Sequence, residues 1–159
     1  KNILYRVLIM INSSDFLQAD DINKVILVVK AVHAGNHTDD QIESYIGVNS
    51  AGRQGRYYRL AAEKLGFVEL QRNNHTVLTP KGQQFVARPN QQENDLISAI
   101  RSLPVFSSAL AHITHCNQKR EPINIKTWFI NYYPGEESTA ERRYSTFIKY
   151  LEYCGISYQ

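Results

Sequence analysis

Cysteine is scarce: Cys116 and Cys154 are the only two in 159 residues. Two are too few for a disulfide framework, so a reducing, intracellular compartment is expected. Glycine and proline number only eight and five, which excludes a collagen-like or low-complexity chain. The longest uninterrupted apolar runs, Val7 to Ile11 and Val25 to Val29, fall far short of the roughly 20 residues a membrane helix needs. No signal peptide precedes them, so neither a membrane nor export is expected. An excess of one charge is also lacking. The 18 Lys and Arg against 15 Asp and Glu leave +3, too little for bulk charge to point to nucleic acid. What is present is 43% hydrophobic residues with 21% charged, enough to build a packed core. The length suits one domain or two small ones that lean on each other. Lys1 is not preceded by Met, and the chain stops at Gln159 soon after Ile156, where a strand is expected to open. A fragment of a longer protein is the expectation.

Ile22, Val25, Ile26, Val29 and Val32 fall at helical spacing between Asp20-Asp21, which can cap, and Gly35, which can stop a helix. Thr38 caps a second, short helix carrying Ile42 and Ile46, with Asp39 and Asp40 in its dipole-favoured first turn and Gly47 at its end. After the tight connection Val48-Asn49-Ser50, a third helix spans about Ala51 to Leu65 and ends at Gly66. Phe67 to Gln71 and Thr76 to Thr79 predict two strands joined at Asn73-Asn74, and Thr79-Pro80 opens a further helix. Helix, helix, helix and hairpin in this order predict a winged helix-turn-helix over residues 22–87, with residues 1–21 an N-terminal extension. The polar stretch 88–93 is the expected linker.

Beyond it, Asp95 to Leu103 and Ser107 to Ile113 are expected to be helical with a break at Pro104. Ile123 to Tyr133 and Glu141 to Cys154 follow as helices. Arg53, Glu63 and Gly66 recur 89 residues later as Arg142, Glu152 and Gly155, which suggests an internal duplication. The expected fold is therefore mainly α with small β-hairpin wings (α+β), in two tandem winged helix-turn-helix units. The second covers residues 94–159, with its wing incomplete.

The third helix concentrates the charge. On a helical wheel Tyr57, Tyr58, Ala61 and Leu65 share one side, while Arg53, Arg56 and Arg59 share the other with Glu63. A guanidinium can bond two acceptors of guanine or clamp a phosphate, so this is where a recognition helix is expected. Gly52 and Gly55 would let backbone approach a phosphate. Asn49, Ser50 and Gln54 complete the candidate set at the helix start, and Arg72, Asn73, Asn74 and His75 form the wing tip. In the second half the outward face would carry Arg142, Ser145, Lys149 and Glu152, with Arg143 near the helix start and Phe147, Tyr150, Leu151 and Cys154 inward. The bland alternatives are a solvated basic face and an ordinary Asn-Asn hairpin turn.

The run Gly52 to Phe67, then Leu78-Thr79-Pro80-Lys81-Gly82, Asp95 to Pro104 and Glu141 to Ile156 resemble the tandem winged-helix DNA-recognition region of type II restriction endonucleases. The resemblance spans about Ile22 to Ile156. It implies the noncatalytic, DNA-binding part of a prokaryotic, cytoplasmic enzyme that cuts duplex DNA at a specific sequence. It also implies a separate nuclease domain of the same longer chain that uses Mg²⁺. No catalytic residue is expected here, since no Asp/Glu-x-Lys occurs anywhere in the sequence to hold Mg²⁺ and orient water. His112, His115 and Cys116, with Cys154, are the only metal-like group, and packing is their commoner role. The expectation is double-stranded DNA as partner, no cofactor and no metal in this chain. The alternative is a winged-helix protein-interaction module or a transcription regulator without a nuclease.

Overall fold

The computed structural model describes residues 11–48 and 54–159. Among these residues the fold is mainly helical with one two-stranded antiparallel sheet, the α+β class expected. Helix α1 (Ile22–His33) starts where the Asp21 carboxylate accepts the Asn23 N–H and buries Ile22, Val25, Val28, Val29 and Val32. Helix α2 (Asp39–Ile46) starts with a reciprocal cap between Thr38 and Gln41. Helix α3 (Gln54–Lys64) runs into strand β1 (Val68–Gln71), which pairs with β2 (His75–Leu78) so that Val68 faces Leu78 and Gln71 faces His75. Asn73 and Asn74 at the turn both have positive φ, 65° and 56°, a conformation that asparagine tolerates better than most residues.

Two contacts fix the hairpin against the helices. The Thr76 N–H donates to the His37 carbonyl at 2.8 Å, the His37 Nδ1–H donates back to the Thr76 carbonyl at 2.8 Å, and the His37 and His75 rings stack at 4.3 Å. On the far side, helix α4 (Pro80–Ala87) starts at the Thr79 cap and presses Gly82 onto β1. A Cβ at Gly82 would lie 1.9 Å from the Phe67 carbonyl oxygen, so no side chain fits there.

The second half differs from its expected layout. Residues 88–93 are an ordered bend: Pro89–Gln91 form one 3-10 turn, Arg88 pairs with Asp95 at 2.9 Å and Gln92 donates to the Phe85 carbonyl. Helix α5 (Gln92–Ser102) is followed at once by α6 (Pro104–Lys119), because Pro104 occupies the first position of a helix, where its missing N–H costs nothing. Helices α7 (Ile125–Tyr132) and α8 (Glu137–Tyr153) complete the chain. The strand expected at Ile156 is not formed: residues 154–159 hold no strand, and the Ile156 N–H turns back to the Leu151 carbonyl.

That last bond also explains the 89-residue echo. Helices α1, α2, α3, α6 and α8 all end with an N–H five residues on from its carbonyl, after a residue with positive φ. The shared Leu-Gly-apolar and Cys-Gly-apolar endings are one general way to stop a helix, so they do not by themselves mark a duplicated unit.

Residues 11–21 are built into the second half. Phe16 packs its ring against Tyr133, Phe129 and Tyr132 at 4.8, 5.7 and 6.1 Å. The Tyr150 hydroxyl donates to the Ala19 carbonyl at 2.8 Å, and the Thr146 hydroxyl donates to Asp20 at 2.6 Å. The buried apolar residues of both halves and of this segment form one continuous core. No single helix among the described residues is long and apolar enough to cross a membrane.

Candidate nucleic-acid interface

The start of α3, the first turn of α2 and the hairpin tip open onto one shallow groove of about 590 Å³. It is lined by Thr38, Asp39, Asp40, Arg56, Arg59 and Asn74. Arg56 is exposed on its wall. Arg59 is not available as expected. Its Nε donates to Asp39 Oδ1 at 2.7 Å, its Nη2 to Asp39 Oδ2 at 3.3 Å and its Nη1 to Glu63 Oε2 at 3.0 Å, and its side chain is only 6% exposed. The wheel placed it outward because the wheel cannot see α2, whose first turn lies across that face of α3.

Gly55 also has a different reason. A Cβ there would fall 1.9 Å from Glu43 Cγ, so this glycine lets the α2 side chain Glu43 lie against α3. Glu43 is buried, and its carboxyl is pushed above the ordinary range by that burial and then by Asp39 and Asp40, against the opposing pull of Arg56. A carboxyl with a raised folded pKa binds more protons when folded, so its penalty is present at neutral pH and fades as pH falls through the carboxylate range. Glu43→Gln is accordingly expected to raise the melting temperature at pH 7 and to lose that advantage at acidic pH, as thermal melts across pH will show.

Asn49, Ser50, Gly52 and Arg53 lie outside the described residues, and Gln54 opens α3. Arg72, Asn73, Asn74 and His75 are all exposed on the hairpin, and of these Asn74 reaches the groove. Tyr57 faces the other way, across an apolar cleft lined by Phe16, Leu17 and Leu60. What the sequence did not reveal was the contribution of Thr38, Asp39 and Asp40. Their capping and dipole roles fully account for them locally, and no local signal places them beside Arg56.

On α8 the outward face is as expected: Arg142, Ser145, Lys149 and Glu152 are exposed. Lys149 Nζ lies 3.8 Å from Asp20, and Arg142 donates to the Thr139 hydroxyl at 3.4 Å. Arg143 departs from expectation. The helix begins four residues earlier than Glu141, so Arg143 sits in its second turn, half-buried against Phe16, Leu17 and Phe106.

A family profile described as a domain of unknown function (DUF7226) matches residues 24–155. The chain belongs to the DUF7226 family. No curated protein and no solved structure matches it. The matched range takes in α1 through α8 apart from the first two residues of α1, so both the groove and the α8 face lie within the DUF7226 domain.

The described residues of this family member contain no group of three or more His, Cys, Asp or Glu that could hold an ion. His112 Nε2–H donates to the Ile123 carbonyl at 2.7 Å and its ring stacks on Trp128, while His115 is exposed. Burial pushes the Cys154 thiol up to about 11.

Proposed function

We propose that this chain is a sequence-specific duplex-DNA-binding module. Residues 22–87 act as a winged helix in which α3 enters the major groove and the β1–β2 hairpin contacts the backbone. The observation that carries this is the convergence of exposed Arg56 and the hairpin tip residue Asn74 on one groove at the start of α3. Arg72 extends the wing for phosphate contact. Residues 94–159, with Arg142, Ser145 and Lys149 on α8, act as a second contact unit, and two linked readers gain affinity through effective concentration. The resemblance of the α3, Leu78-to-Gly82 and α8 sequences supports placing the module in a prokaryotic, cytoplasmic type II restriction endonuclease. Its Mg²⁺-dependent nuclease domain then lies elsewhere in the same longer chain.

Binding of a labelled random duplex, titrated with salt, tests the proposal: affinity falls steeply as salt rises because phosphate neutralisation releases counterions. No binding at low salt overturns it. On a selected site, Arg56→Ala is expected to cost about 1–3 kcal/mol and to relax one base position. An equal loss on every sequence makes Arg56 a phosphate contact instead.

One observation favours a second function, a winged-helix module that binds protein. Asp39, Asp40, Glu43 and Glu63 surround the two arginines of the groove, and Arg59 is already neutralised. That surface also suits a basic peptide.

A further inference from the structure

The groove beside α3 mixes charges in a way that a phosphate clamp would not. Asp39 and Glu63 already saturate the Arg59 charge on its floor. Asp40, in the first turn of α2, puts a carboxylate on the same wall system as Arg56, with Asn74 across from them. A carboxylate accepts hydrogen bonds and donates none, so it repels phosphate oxygens and every base-edge acceptor. Only an exocyclic amine is welcome beside it. In the major groove that means adenine N6 or cytosine N4. Adenine presents its N7 acceptor next to the amine, where it would face the carboxylate. Cytosine presents no acceptor of its own, and the acceptors of its partner guanine are what a guanidinium binds.

We infer that Asp40 and Arg56 together make this groove a reader of guanine paired with cytosine, Arg56 donating to guanine O6 and N7 and Asp40 accepting from a cytosine N4 amine in the same or the adjoining pair. The inference rests on the duplex binding proposed above. Asp40 is then a specificity-determining residue, its negative charge serving to reject wrong bases more than to add affinity.

The test is selection of bound duplexes from a random pool by the wild-type chain, Asp40→Ala and Asp40→Asn, each checked by thermal melting. The wild type is expected to enrich a guanine·cytosine pair. Replacing that guanine by 7-deazaguanine, which lacks the N7 acceptor, should weaken binding. Asp40→Ala should cut discrimination at the cytosine by about 10-fold while leaving or raising affinity for unrelated duplexes. Asp40→Asn should admit thymine there, because its amide can donate to thymine O4. A purely structural role of Asp40 at the α2 start would weaken all sequences alike and leave the preferred bases unchanged. Duplex binding with the same motif for all three proteins overturns the inference and leaves duplex binding standing. No duplex binding by the wild type at low salt overturns both.

Discussion

Phe16→Ala is expected to destabilise the whole chain by about 3–5 kcal/mol in urea unfolding. The ring is 5% exposed and sits among Phe129, Tyr132 and Tyr133, so truncation leaves a cavity between residues 11–21 and α7. Edge-to-face contacts of this kind add to the area term. The loss spreads because the same segment carries the Ala19 carbonyl, which satisfies the Tyr150 hydroxyl in a site where burial pushes its pKa far up. Asp21, two residues beyond Ala19, caps α1. A displaced segment therefore unsettles α8 and α1 together. One transition, shifted as a unit in both far-ultraviolet circular dichroism and Trp128 fluorescence, is the expected readout. Two separate transitions would mean that residues 22–87 and 94–159 hold independent cores, against the continuous core described above.

Arg59→Met should cost about 2–3 kcal/mol. Breaking a fully buried pair costs more, but Asp39 and Glu63 are 30% and 37% exposed, and water relieves part of the loss. Methionine keeps most of the packing volume while removing the guanidinium, so what is measured is chiefly the electrostatic loss. The variant leaves the Asp39 and Glu63 carboxylates near Asp40 and Glu43 with one fewer cation, so like charges crowd there wherever the carboxylates are ionised. The deficit relative to wild type is thus largest near neutrality and shrinks below about pH 4. Urea midpoints for both proteins between pH 3 and pH 8 measure it. A deficit independent of pH would show that Arg59 acts through packing alone.

The first half was readable because its signals are local. Asp21, Thr38 and Thr79 each cap the helix that follows within three residues, and β1 and β2 formed within one residue of their expected bounds. The misread features depend on partners far along the chain. Arg59 meets Asp39 twenty residues away, and nothing in the periodicity of α3 distinguishes it from Arg56. The ring of Phe16 packs against Phe129, Tyr132 and Tyr133, on α7 and just after it, at the other end of the chain. The early start of α8 was missed because Glu137-Ser138-Thr139 carries no apolar residue to extend the periodicity, whereas Ala140 behind it is fully buried.

The bond from Tyr150 to Ala19 spans 131 residues. Contacts of such long separation form late and slow folding, because the loop between them must close first. During synthesis at about 5–20 residues per second, α1 to α4 can assemble from near neighbours while the Phe16 ring waits for its aromatic partners. Phe129, Tyr132 and Tyr133 arrive only when α7 emerges. The earliest part of the described chain to be made is thus among the last to find its place, and for those seconds its aromatic and aliphatic surface is open to chaperones or to a neighbouring nascent chain.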